Sequence, residues 1–313
     1  MLLSSLIGQP QVVALLESAI ARQRIAPAYL FAGPAGVGRR LAAQGFTEIL
    51  LAKDPRSPIP SVLRQRVADR NHPDLLWVEP TYLHQGKRLS AADADAQGLK
   101  RRAPPQIRLE QIRELAQFLS RPPLEADRAV VVIEDAETMA EPAANGLLKT
   151  LEEPGKATLI LIAPSPEALL PTLVSRCQRI PFRRLSPADL ATVLQRNGYE
   201  AILQYPEVLA LAQGSPGEAI AHWQQLQTIP PELLQTLTHP PTSLKDALER
   251  GRAIADTLDT EAQLWLVDYL QHWYWQQRGD RRCLAALEKV RKQLLAYVQP
   301  RLVWEVMWME LGG

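Results

Sequence analysis

The most constraining stretch of this sequence is Ala-Val-Val-Val-Ile at 129–133, apolar at every position rather than at alternate ones. A strand of that composition needs cover on both faces, the environment of a parallel strand flanked by helices. Three further runs read as strands: Ala-Tyr-Leu-Phe-Ala at 28–32, Asp-Leu-Leu-Trp-Val at 74–78 and Leu-Ile-Leu-Ile-Ala at 159–163. Helical spacing separates them. Val12, Leu16, Ala19 and Ile20 recur after Pro10. Ala42, Phe46, Ile49 and Leu50 share one face, and Ala144, Leu147, Leu148 and Leu151 share another between Pro142 and Pro154. Strands alternating with helices predict an α/β fold on a doubly wound parallel sheet.

Directly after the first run comes Gly33-Pro34-Ala35-Gly36-Val37-Gly38-Arg39-Arg40. Strand, glycine turn and helix form the context of a P-loop, in which backbone N–H groups wrap phosphates, a Lys adds a compact charge and a hydroxyl ligates Mg2+. Gly33, Gly36 and Gly38 have that spacing, yet arginine stands at both chemical positions. The guanidinium is a wide planar fork. Arg39 therefore imitates the charge of Lys without its size, and Arg40 brings a cation to the place of a metal. The same glycines would equally make a tight turn with no ligand. Glu134 and Asp135 follow the 129–133 run, where a nucleotide-hydrolysing strand carries its metal-holding and water-orienting acids, here in swapped order. Alone, such a pair is just as well ordinary surface charge. Together the two departures predict a degenerate nucleotide site that does not hydrolyse ATP and has no bound cofactor.

A length of 313 residues accommodates two or three domains. The net charge of +1 gives no global field for nucleic acid or membrane, so any DNA contact must be local. Cys177 and Cys283 suit reduced, packed thiols, and the histidines lack ligand spacing, so no metal site is expected. The opening residues lack a basic leader, and no run of about 18 apolar residues occurs. A soluble, cytoplasmic protein is expected. From 83 to 105 no periodicity is visible, and Lys87, Arg88, Lys100, Arg101 and Arg102 mix with Asp93 and Asp95. This predicts a mobile surface insert, either merely solvated or touching a phosphate backbone. After Phe182 the strands stop. Ser186-Pro187 opens a short helix, Gly214-Ser215-Pro216-Gly217 punctuates a helix pair, and Ile229-Pro230-Pro231 reads as a hinge. Helical patterns over 244–258, 261–277, 282–298 and 301–311 complete the chain, giving domains at 1–183, 184–228 and 229–313. In the last helix Leu302, Val306 and Met309 lie on one side and Trp304, Trp308 and Leu311 on another, so it packs twice, within its own bundle or against a neighbouring subunit.

The run Ala143-Ala144-Asn145-Gly146-Leu147-Leu148-Lys149-Thr150-Leu151-Glu152-Glu153-Pro154, followed by Ser175-Arg176-Cys177, resembles the bacterial clamp-loader branch of the AAA+ family. Leu6-Ile7-Gly8-Gln9, His72-Pro73-Asp74 and the Gly214-Ser215-Pro216-Gly217 turn extend the resemblance, while the last third agrees in helical character. It implies an AAA+ module over 1–183, a helical lid and a helical collar. It also implies that Arg176, flanked by Ser175 and Cys177, is an arginine finger reaching ATP on an adjacent motor subunit. Gly217 stands where motors carry a nucleotide-sensing arginine, and Pro164 and Ser165 where they carry a polar sensor. Related subunits often bear a four-cysteine zinc module after the P-loop helix, but 51–70 has no cysteine, so zinc is not expected. The resemblance thus implies a non-motor subunit without intrinsic activity. Its partners would be gamma/tau-type motor subunits and a delta subunit in a hetero-pentamer that loads a sliding clamp on primed DNA for a replicative polymerase.

Two rival readings follow from the same residues. One is an authentic motor ATPase in which Arg39 replaces Lys. The other is an ATP-independent DNA-binding scaffold using the 83–105 insert.

Overall fold

The computed structural model describes residues 6–54, 57–96, 104–279 and 281–312. The chain divides into two compact units, Met1–Asp189 and Leu190–Gly313. The first contains α1 (Pro10–Ala21), β1 (Ala28–Ala32), α2 (Arg39–Leu51), α3 (Ser61–Ala68), β2 (Leu75–Val78), β3 (Tyr82–His84), β4 (Lys87–Leu89), α4 (Ala91–Ala96) and α5 (Leu109–Leu119). It continues with β5 (Ala129–Ile133), α6 (Glu141–Glu152), β6 (Ala157–Ala163), α7 (Pro171–Val174) and β7 (Gln178–Pro181).

Five strands form one sheet in the order β2-β5-β6-β1-β7, every pair parallel. The three central strands are buried at every residue, as their unbroken apolar composition requires. On one face Leu30, Val131, Ile133, Leu159 and Leu161 pack on Ala143, Leu147 and Leu151 of α6 and Ile112 and Leu115 of α5. On the other, Tyr29 meets Phe46 of α2 edge-on, 5.1 Å between ring centres, and Phe31 lies 5.5 Å from Phe182. The register sets Ala32 against Ala163 and Pro181, and Ile133 against Leu161 and Val78. The carboxyl ends therefore share one edge, where the loops of an open α/β sheet present their chemistry.

Several elements escape a reading by periodicity. β7 carries the exposed Gln178 and Arg179 beside the buried Ile180, so this edge strand has no apolar run. The first part of 83–105, expected to be a surface insert without periodicity, contains an antiparallel ribbon of mostly exposed residues. Its β3 and β4 pair Tyr82 with Leu89 and turn at Gln85-Gly86, both in left-handed backbone, before the single short helix α4. Three ribbon pairs of mostly exposed residues bury too little to leave a pattern. Lys100, Arg101 and Arg102, like residues 1–5, lie outside the described residues.

The second unit is helical. α8 (Pro187–Arg196) leads into α9 (Pro206–Ala212), α10 (Pro216–Thr228), α11 (Pro231–Leu237), α12 (Leu244–Thr257), α13 (Thr260–Arg278), α14 (Arg281–Leu295) and α15 (Pro300–Gly312). α11 is an addition to the sequence reading. Trp304, Trp308, Tyr274, Leu266, Leu270, Leu287 and Leu294 form its core. Two of the buried polar side chains are partnered in series, the Trp304 indole donating to Gln263 Oε1 at 2.9 Å and Gln263 Nε2 to the Leu258 carbonyl at 2.7 Å, whereas the Trp308 indole nitrogen has no hydrogen-bond partner. The last helix thus spends its tryptophan face inside its own bundle, while Leu302 is 52% and Met309 37% exposed on the other. Among the described residues no helix is long and apolar enough to cross a membrane.

Candidate functional site, a glycine loop and an exposed arginine

The glycine loop joins β1 to α2 at the shared edge of the sheet. Gly36 and Gly38 have φ of +70° and +98°, backbone that a side chain disfavours, and Gly38 caps α2. The Gly33 N–H donates to the Ala163 carbonyl at 3.2 Å, fixing the start of the loop to β6. Gln9 fixes its middle. The Gln9 amide donates to the carbonyls of Val37 (3.3 Å) and Arg183 (2.6 Å) and accepts from the Arg183 N–H (3.2 Å). The first helix is thereby tied to the loop and to the segment after β7.

Arg39 and Arg40 diverge. Arg39 is buried, and its Nη1 is shielded from solvent with no hydrogen-bond partner. Burial pushes its guanidinium below the ordinary arginine value, with Glu137, Asp135 and Glu134 pulling the other way. Arg40 instead extends to Glu134, Nη1 to Oε1 at 3.4 Å. That carboxylate also accepts from the Trp77 indole at 2.8 Å and from Arg70 Nη2 at 3.4 Å. Arg70 lies over the Trp77 ring, 4.9 Å from its centre, and Arg40 lies 5.9 Å from it. Glu134 is therefore enclosed by an indole N–H and two guanidinium groups. A carboxylate so occupied offers a metal ion little, because the ion would have to displace cations already in hydrogen-bond reach. Asp135 adopts left-handed backbone, φ 47°, and its carbonyl accepts from the Thr138 N–H and hydroxyl at 2.9 and 2.8 Å. Trp77 and Arg70 were not singled out as partners of Glu134 by sequence.

His72 and Asp74 are a structural clasp. The buried Asp74 carboxylate accepts backbone N–H groups of Leu124, Glu125 and Ala126 at 2.6, 2.8 and 2.8 Å, and the Asp74 N–H donates to His72 Nδ1. Burial acts to raise the Asp74 pKa, but the three backbone donors outweigh it and hold the carboxyl below its usual range. The approach to β5, and so the placement of Glu134, depends on this clasp. A cleft of about 530 Å³ opens along β2, bounded by Trp77, Glu79, Lys87, Arg88 and Glu114, with no glycine-loop residue in its wall.

Arg176 lies elsewhere on unit one, just before β7. Its Nη2 meets Glu152 Oε1 at 2.7 Å and its Nη1 donates to the Thr172 carbonyl at 3.0 Å, while the side chain remains 36% exposed. Ser175 is exposed and its hydroxyl donates to the same Thr172 carbonyl. Cys177 faces inward, and burial pushes its thiol up to about 11, so it is no nucleophile at neutral pH. Pro164 and Ser165 follow β6 at the sheet edge; Gly217 sits exposed in the first turn of α10, after the Ser215 cap. No group of three or more His, Cys, Asp or Glu that could hold a metal is found among the described residues.

Residues 8–186 match the family described as "DNA polymerase III, delta subunit", and residues 188–311 match "Cyanobacterial DNA polymerase III delta prime, C-terminal domain". The chain is 36% identical over 187 residues to DNA polymerase III subunit delta' of Bacillus subtilis, covering 57% of this chain and 49% of that protein. It is 36% identical over 203 residues to subunit delta' of Pseudomonas aeruginosa, covering 62% and 55%. The alignments thus span about half the length of these relatives. Subunit gamma/tau of Mycobacterium tuberculosis is 29% identical over 233 residues, 71% of this chain and 36% of that one. Among solved structures, a DNA polymerase III gamma-subunit-related protein of Thermotoga maritima superposes with a TM-score of 0.50 at 17% identity, over 96% and 98% of the two chains, a likeness of fold.

Proposed function

Because the chain belongs to the DNA polymerase III delta-prime family, we propose that it is a non-motor subunit of a clamp loader. It supplies Arg176 in trans to the ATP site of a neighbouring subunit and has no hydrolytic activity of its own. The observation that carries this reading is the enclosure of Glu134 by Arg40, Arg70 and Trp77, which puts cations where an ATPase needs a metal, while Arg176 stays accessible at the surface. A fixed guanidinium neutralises charge developing on a transferred phosphoryl group, an effect of roughly 10³ to 10⁵ in rate in other NTPases. In this reading 184–228 is a lid and 229–313 a collar. The partners are gamma/tau-type motors and a delta subunit, which together place a sliding clamp on primed DNA in the cytoplasm. ATP and zinc are not held by this chain.

The test is reconstitution with those subunits. Arg176→Ala folds and assembles normally and lowers DNA-stimulated ATP hydrolysis of the complex; unchanged hydrolysis removes the finger role.

A further inference from the structure

Glu152 closes α6, and Thr172 lies in α7, a single-turn helix in which the Thr172 carbonyl accepts from side chains, the Ser175 hydroxyl and Arg176 Nη1. Between them they hold Arg176 by both terminal nitrogens, a carboxylate on Nη2 at 2.7 Å and a carbonyl on Nη1 at 3.0 Å. The guanidinium is planar, so two such contacts, together with its own stem, define the plane and direction of the fork. Its remaining N–H donors are left for a ligand from outside. The carboxylate is 54% exposed, and an ion pair that wet adds little to stability. Its consequence is therefore orientation. A free arginine samples many rotamers, and immobilising one on contact with a phosphoryl group counts against the rate.

We propose that Glu152 is a positioning residue for Arg176, holding the guanidinium in the direction in which it meets phosphoryl oxygens bound by a neighbouring subunit. This rests on the trans-acting role of Arg176 given above. Glu152 does not touch the nucleotide, and ATP affinity belongs to the neighbour's own loop. Its loss therefore acts on the rate of hydrolysis and leaves ATP binding alone.

The experiment is steady-state ATP hydrolysis by the reconstituted complex with primed DNA and sliding clamp, using Glu152→Ala, Glu152→Gln, Arg176→Ala and the Glu152→Ala/Arg176→Ala pair. Glu152→Ala lowers kcat about tenfold with KM for ATP within about twofold, the scale expected for a reacting group released from its geometry. Glu152→Gln keeps an oxygen acceptor and recovers most of the loss. In the Arg176→Ala background Glu152→Ala has no further effect, and gel filtration shows full assembly of every variant. An unchanged or raised kcat for Glu152→Ala overturns the proposal, the latter making Glu152 a restraint on the finger. A loss that persists without Arg176, or that comes with failed assembly, overturns it too, by showing a scaffolding role. If Arg176→Ala alone leaves hydrolysis intact, the finger reading itself fails, an outcome separable from failure at Glu152.

Discussion

Arg40, the second residue of α2, reaches Glu134, the first residue beyond β5, across 3.4 Å. The two positions are those at which a P-loop protein places its metal-ligating hydroxyl and a metal-holding acid. A guanidinium in direct contact with the acid links the two elements without an ion between them. One ion pair thus occupies both positions.

Changing the loop alone is therefore expected not to confer ATP hydrolysis. Arg39→Lys with Arg40→Thr recreates the residue types of the motif, but Glu134 still accepts from the Trp77 indole and Arg70, and the acids remain in swapped order. The double variant is expected to show no Mg2+-dependent ATP hydrolysis as an isolated chain, measured by phosphate release. Turnover above background would mean that the arginines by themselves had silenced the site.

Asp74→Asn tests the clasp ahead of β5. The amide offers one oxygen in place of two to the Leu124, Glu125 and Ala126 donors, and its NH2 faces them, a cost of about 2–3 kcal/mol for imperfectly paired buried groups. The pH dependence has a definite sign. A carboxyl whose folded pKa is depressed stabilises the fold above its unfolded value of about 3.9, and the benefit is lost as pH falls through the lower folded value. Urea midpoints of the parent and the variant should differ at pH 7 and converge below about pH 4. A gap that stays constant down to pH 2 would contradict this account.

Gly251→Ala tests the helical unit. Gly251 of α12 faces α15, and an added Cβ would lie 2.7 Å from the backbone nitrogen and 2.9 Å from the Cα of Glu305. Backbone cannot swing aside, so the helices must separate around the buried Trp304 and Trp308. The gain in helix propensity is smaller than the overpacking, and a net loss of about 1–3 kcal/mol is expected, read by chemical denaturation of the chain. An unchanged midpoint would show that α12 and α15 tolerate the shift.

What the sequence by itself determined is local. The unbroken apolar runs of β1, β5 and β6 dictate strands buried on both faces, and 3.6-residue periodicity dictates α2, α6 and the long helices of the second unit, because each signal lies within a few consecutive residues. The two arginines after the glycines, the swapped acids and the Ser-Arg-Cys triplet were legible for the same reason. The edge strand β7 and the small β3–β4 ribbon were not, since partly exposed strands carry no continuous apolar mark. Nor were the partners. Glu134 meets Trp77 and Arg70 across 57 and 64 positions, and Arg176 meets Glu152 across 24. Only the tertiary structure decided these pairs, because the parallel register aligns the ends of strands far apart in the chain. Charged side chains, being long and flexible, find their counterions only where that alignment brings them.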